Sequence, residues 1–192
     1  MLSSFEYRQR ARAALGGRIF GNLWLMALLA NLIVMAVTGL VSASFVGYFL
    51  VFGPLYVGYA SIMQKLARGR GEVDIVDCAK GFLVDYVDNL LIGLLTTIKV
   101  FLWSLLLVIP GIMKAYSYSM VYYIKNDHPS FTWRECLAES ERLMRGKRWN
   151  LFCLDFSFIG WILLTAFTFG ISALWVAPYM EQSHAQFYES IR

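Results

Sequence analysis

No charged side chain occurs from Ile19 to Gln64, a run of 46 residues that ends at Lys65. An α-helix rises about 1.5 Å per residue, so about 20 apolar residues cross the hydrocarbon core of a bilayer. The run is too long for one crossing and long enough for two. Thr38-Gly39 and Ser42-Ala43-Ser44 supply small and polar residues for a turn between helices at about Ile19–Gly39 and Phe45–Leu66. A water-soluble reading fails on composition. The 192-residue chain is 58% hydrophobic and 16% charged, against roughly 25% charged in soluble domains. A soluble fold of this size keeps most residues near its surface and has little room to hide so much apolar area.

The same reading divides the rest of the chain. A charged segment, Lys65 to Asp88, precedes an apolar region from Asn89 to Ile124. Proline lacks a backbone donor and disfavours helix in the residue before it, so Ile109-Pro110-Gly111 is expected to be a hairpin tip. It separates a helix at about Asn89–Val108 from a short one at about Gly111–Ile124. After the charged segment Lys125–Arg148, Trp149–Met180 is apolar except for Asp155. A turn at Thr168-Phe169-Gly170 gives a fifth helix at about Trp149–Phe167 and a sixth from Ile171. The sixth must run past Pro178 into Glu181–Tyr188 to reach the far side. The expected fold class is an all-α membrane protein with six transmembrane helices, arranged as three hairpins with cytoplasmic amphipathic helices, in a single transmembrane domain (1–192).

Charge placement orients it. All of the 17 Lys and Arg residues except Lys99 and Lys114 fall in the N-terminus, the two long linkers or the C-terminus. The positive-inside rule then puts both termini and both linkers in the cytoplasm, and accounts for the net charge of +4 without nucleic acid. The first apolar run lacks a cleavage-site pattern, which favours a signal anchor over a cleaved leader. Cys78, Cys136 and Cys153 show no CxxC spacing and are expected to pack as small apolar residues.

Three repeat-like units, about 1–70, 71–128 and 129–192, share one plan: an amphipathic segment ending near glycine (Gly17, Gly81, Gly146), an apolar helix, a tip, and an apolar segment carrying proline (Pro54, Pro110, Pro178). Ala14-Leu15-Gly16-Gly17-Arg18 parallels Leu143-Met144-Arg145-Gly146-Lys147. In the third unit Thr132 and Glu135 have capping-box spacing, Trp133, Leu137, Ser140 and Met144 form a stripe at helical period, and Gly146 is a C-terminal stop. A basic amphipathic helix joined to membrane spans is expected at headgroup level. The residues Arg8, Arg10, Arg12, Arg142, Arg145, Lys147 and Arg148 are therefore candidate membrane-surface cations, with anionic lipid as the corresponding partner. Trp149, Trp161, Trp175, Tyr122 and Tyr123 are candidate interfacial anchors.

Charges inside spans are costly and tend to pair or to serve function. Lys99, Lys114, Asp155, Glu181 and His184 form the candidate intramembrane network. Lys99 sits mid-helix, Asp155 lies seven residues (about 10 Å) beyond Arg148, and Lys114 lies near the outer end of helix four. Lys99 with Asp155 is the preferred pair, with Glu181 as the competing carboxylate. A structural ion pair, a snorkelling lysine and a proton or substrate site all fit that pattern. Enzyme signatures are poor. His128 and His184 show no HExxH spacing, no GxSxG elbow occurs, and Gly69-Arg70-Gly71 lacks the length and the Lys-Ser/Thr pair of a phosphate loop. No catalytic residue, cofactor or metal site is expected.

Several runs carry a resemblance. Arg145-Gly146-Lys147-Arg148-Trp149, Leu151-Phe152, Asp155, Ser157-Phe158-Ile159-Gly160-Trp161, Gly170-Ile171, Leu174-Trp175, Pro178-Tyr179-Met180 and Phe187-Tyr188 resemble the C-terminal half of the bacterial domain-of-unknown-function 975 membrane proteins. Ile109-Pro110-Gly111-Ile112 and Tyr116-Ser117 fit the middle of that family, and Ala11-Arg12-Ala13-Ala14-Leu15 fits its start more weakly. The family looks like a branch of a wider group that includes membrane domains fused to glycerophosphodiester phosphodiesterases; this chain has no such catalytic domain. The resemblance implies a multi-helix protein of the bacterial cytoplasmic (inner) membrane and no activity or catalytic residue. The function expected on these grounds is non-catalytic, through lipids, a protein partner or a homo-oligomer. The alternative is a small-solute or ion transporter or channel using the buried charges.

Overall fold

The computed structural model describes residues 3–16, 21–41, 45–69, 74–168, 170 and 172–192. The sequence marks at Gly17, Arg18, Ile19, Ser42-Ala43-Ser44, Arg70, Gly71, Phe169 and Ile171 lie outside them. The described residues are helical and contain no strand.

A short helix α1 (Ser4–Ala14) precedes two long ones, α2 (Asn22–Val41) and α3 (Phe45–Ala67). A 3-10 turn (Ile75–Ala79) and α4 (Lys80–Leu83) lead into α5 (Tyr86–Leu106), α6 (Val108–Tyr118) and α7 (Val121–Asp127). Then α8 (Trp133–Leu143) leads into α9 (Arg148–Phe156), α10 (Ile159–Phe167) and α11 (Ala173–Ile191). Helix α3 is the hub and packs against α2, α4, α5, α7 and α11. Glycine makes its closest packing possible. A Cβ on Gly53 would run into the Asn89 carbonyl of α5, and one on Gly93 into the Gly53 backbone. Small residues that let backbones touch are the usual device where apolar helices associate.

Among the described residues, two helices are long and apolar enough to cross a membrane, over Asn22–Gly39 and Tyr86–Leu105, and only 28% and 17% of those residues are buried. In α2 the buried face is Trp24, Ala27, Ala30, Asn31 and Val34, one stripe at helical period, while Leu25, Leu29, Leu32 and Met35 are exposed.

The second hairpin turns earlier than Pro110 predicts. Leu107 is extended (φ −159°, ψ 137°) and ends α5, and Pro110 falls inside the first turn of α6, where its missing N–H costs little. Gly111 packs on Ser104, leaving no room for a Cβ. The expected fourth helix is two, α6 and α7, separated at Ser119-Met120. The expected fifth is also two, α9 and α10, separated at Ser157-Phe158. The sixth continues through Pro178 without a break as the 19 residues of α11.

Both expected amphipathic helices form, but their apolar faces meet protein. The Thr132 N–H and hydroxyl donate to the Glu135 carboxylate (2.7 and 2.8 Å), and Gly146 (φ 76°) sits beyond the end of α8 in the left-handed region. The stripe residues Leu137, Ser140 and Met144, with Cys136, are buried where α8 packs on α5, α6 and α7, and the Ser140 hydroxyl donates to the Ser117 carbonyl (2.8 Å). Only Trp133 of that stripe is half-buried. Helix α1 likewise buries Tyr7, Ala11 and Leu15 against α11 and α9. The hydrophobic period is correct, but it faces protein, so the stripe of α8 is not free to enter lipid. Cys78 and Cys136 are buried free thiols, and burial pushes both up to about 11, which suits packing better than reactivity.

Candidate functional site

The expected Lys99–Asp155 pair does not form. Lys99 lies over the Tyr118 ring, 5.6 Å from its centre. Lys114 is not isolated at an outer helix end. Its ammonium donates to Glu141 of α8 (2.7 Å) and lies over the rings of Trp103 and Tyr118 (5.7 and 5.5 Å). Helix α6 has only 11 residues, about 16 Å, so α8 can pack beside it and reach that far. The two lysines thus share Tyr118, on the α5–α6–α8 side of the molecule.

The acidic members collect elsewhere. Asp155, in the last turn of α9, places Oδ1 2.6 Å from His184 Nε2 of α11, and its Oδ2 accepts from the Tyr116 hydroxyl of α6 (2.9 Å). One turn before His184, Glu181 accepts from the Tyr123 hydroxyl (3.3 Å). Glu181 and His184 line a cavity of about 140 Å³ together with Tyr59, Ser119, Tyr122 and Tyr123. Behind it the buried Asn31 amide of α2 donates to the Tyr59 hydroxyl (3.2 Å). Six helices therefore contribute to one polar layer through the otherwise apolar packing. Periodicity could not reveal Tyr116, Tyr123, Tyr59 or Asn31 as its members, because each is one tyrosine or asparagine among many in apolar runs.

Chemically, the layer offers an imidazole fixed by a carboxylate, a second carboxylate one helical turn away, and a ring of phenols. Such a set can hold or pass a proton near neutral pH. Among the described residues, His184 bonds to Asp155 and not to a hydroxyl or thiol nucleophile, and no group of three or more His, Cys, Asp or Glu side chains is placed to hold a metal ion.

The candidate surface cations separate into held and free ones. The Arg8 guanidinium donates to the Ser157 carbonyl (3.1 Å) and lies over the Phe158 ring. Lys147 reaches the Ile191 carbonyl, Arg148 is half-buried, and Arg142 pairs with its neighbour Glu139 (2.6 Å). Arg10, Arg12 and Arg145 are exposed.

A denser charge network lies at the ends of α3, α7 and α11. Arg68 reaches Asp127 (2.5 Å) and Glu189 (2.9 Å), Arg192 reaches the same two carboxylates (3.1 and 3.0 Å), and the Tyr188 hydroxyl donates to Asp127 (2.9 Å). Burial would raise the Asp127 carboxyl, but Arg68, Tyr188 and Arg192 outweigh it and hold it below the usual range. Asp77 is likewise held down against its burial by Lys65 and Lys80. Lys125, 3% exposed, is satisfied by Asp85 and by the carbonyls of Pro129 and Phe131.

Residues 104–192, which contain Asp155, His184, Tyr116 and Glu181, match the model of a family described as protein of unknown function (DUF975). That match spans 89 of the 192 residues, and the likeness is to that segment. The match covers the part of the chain where the resemblance is sharp and stops short of the N-terminal part where it is weak. No curated protein and no solved structure matches the chain. The matched segment supplies the whole Asp155–His184–Tyr116 contact, and residues before it add Tyr59 and Asn31 to the layer.

Proposed function

We propose that the chain is a multi-pass protein of the bacterial cytoplasmic membrane, with six crossings and both ends in the cytoplasm. In this reading it is non-catalytic, needs no cofactor, and works through membrane lipids together with a protein partner or a second copy of itself. The observation that carries the reading is the exposed apolar turn between α5 and α6, set apart from the ion-pair network of Arg68, Asp127, Glu189 and Arg192. Leu105, Leu107, Val108 and Ile109 of the α5–α6 turn are each at least two-thirds exposed, and contiguous exposed apolar area of this kind marks membrane or protein contact. The ion pairs of Arg68, Asp127, Glu189 and Arg192 gather at helix ends that the charge count assigns to the cytoplasm. The test is fractionation of cells expressing the full chain. It should stay with the membrane through an alkaline carbonate wash and leave only with detergent; release by carbonate would overturn the reading.

The Asp155–His184–Glu181 layer supports a second reading, a small transporter or channel, since ionisable groups within spans mark ion and proton paths. Proteoliposomes carrying the wild type should then show proton flux that Asp155→Asn and His184→Gln each reduce at least tenfold. Equal flux in all three, or in empty vesicles, would eliminate it.

A further inference from the structure

A groove of about 530 Å³ opens between α1, α2, α10 and α11, within the roughly 300–1,000 Å³ range of small-molecule sites. Trp24, Trp161, Trp175 and Tyr179 wall it, and Arg8 and Arg12 stand over it from α1. Among the described residues, no acidic side chain lines it. Two of its polar atoms, Arg8 Nε and the indole N–H of Trp24, are buried without a hydrogen-bond partner, although Trp24 is only 6% exposed. Buried donors are almost always satisfied, so both point to an acceptor that the described residues do not provide. The site therefore combines positive charge, unmet donors and an apolar aromatic trough.

We infer that this groove seats one glycerophospholipid with an acidic headgroup. Its phosphate lies against the Arg8 and Arg12 guanidinium groups, a headgroup or ester oxygen accepts from Trp24, and an acyl chain lies along Trp161 and Trp175. Guanidinium groups match phosphate oxygens in geometry as well as charge. A zwitterionic headgroup brings its own cation beside the arginines and loses the charge match. The inference rests on the membrane reading above and gives its lipid partner a place.

The experiment uses the full chain in phosphatidylcholine vesicles containing small, equal mole fractions of either phosphatidylglycerol or phosphatidylcholine with brominated acyl chains, which quench nearby tryptophan fluorescence. Half-maximal quenching is expected at about tenfold lower mole fraction of the brominated phosphatidylglycerol. Arg12→Gln, an exposed side chain whose loss leaves the packing intact, should shrink that preference several-fold. Arg8→Gln with Arg12→Gln should abolish it. Arg145→Gln, exposed and away from the groove, should leave it unchanged. Equal quenching by the two lipids, or an undiminished preference in both arginine variants, overturns the inference. Failure of the chain to insert into either vesicle would instead bring down the membrane reading.

Discussion

At one end of the helices Arg68 and Arg192 share Asp127 and Glu189, Lys65 and Lys80 share Asp77, and Lys125 is enclosed by carbonyls and Asp85. At the other end α5 and α6 turn through Leu105, Leu107, Val108 and Ile109, and α10 presents Trp161 to Leu164, all exposed. In a water-soluble domain these arrangements would be exchanged, with the apolar side chains packed and the ionised ones spread over the surface. Here the charged end is held by multiply satisfied, part-buried ion pairs. The apolar end relies on backbone proximity within and leaves its side chains to whatever surrounds it. The difference assigns separate origins of stability to the two ends, and each can be attacked alone.

The largest effect should come from the packing that joins them. Gly53→Val places side-chain atoms where α3 meets the Asn89 carbonyl and Gly93 of α5 and should destabilise by about 3 kcal/mol or more, since a backbone contact cannot give way as a flexible side chain can. Thermal unfolding in detergent measures it, and Gly53→Ala should cost less but not nothing. Next comes Asp127→Ala, which leaves Arg68 and Arg192 short of a shared carboxylate and should cost about 2–3 kcal/mol. The double variant Arg68→Met/Asp127→Ala should cost less than the sum of its parts.

Acid should find the same end. Asp77 and Asp127 both have folded-state values below their ordinary ones. Their contribution is therefore fully present above about pH 5 and is lost as pH falls through about 4 and into the depressed folded values. A stability profile in detergent should be flat from pH 7 to 5 and fall below 4, and Asp127→Asn should flatten part of that fall. The smallest effects belong to exposed positions. Leu105→Ser with Val108→Ser should leave unfolding in detergent within about 0.5 kcal/mol of wild type while lowering the fraction recovered in membranes. Arg142→Ala, which removes an exposed pair with Glu139, should change stability by no more than about 0.5 kcal/mol.

Helix positions were legible in the sequence wherever hydropathy and small residues agree, as for α3, expected at Phe45–Leu66 and found at Phe45–Ala67. They were less legible at Pro110, because proline is at home both in a tip and in the first turn that follows one. Depth in the bundle could be estimated by counting residues, but rotation about the helix axis could not. That is why Lys99 and Asp155 looked like partners and instead meet Tyr118 and His184. Helical period exposed the stripe on α8 without saying whether lipid or protein would cover it. The charges of Arg8 and Arg12 were plain, but the tryptophan wall beneath them brings Trp24 of α2 against Trp161 and Trp175 of α10 and α11, and no local pattern could have assembled it.

The most direct test of the central claim is side-specific labelling of single cysteines with a membrane-impermeant maleimide, in a background with Cys78, Cys136 and Cys153 replaced by alanine. Leu107→Cys should be labelled in cells whose outer envelope alone is permeable, while Asp74→Cys and Arg192→Cys should be labelled only after the cytoplasmic face is opened. Labelling of Asp74→Cys or Arg192→Cys from outside, or of Leu107→Cys only from the cytoplasmic face, would contradict the proposed separation of an apolar, membrane-crossing end from a charged cytoplasmic one.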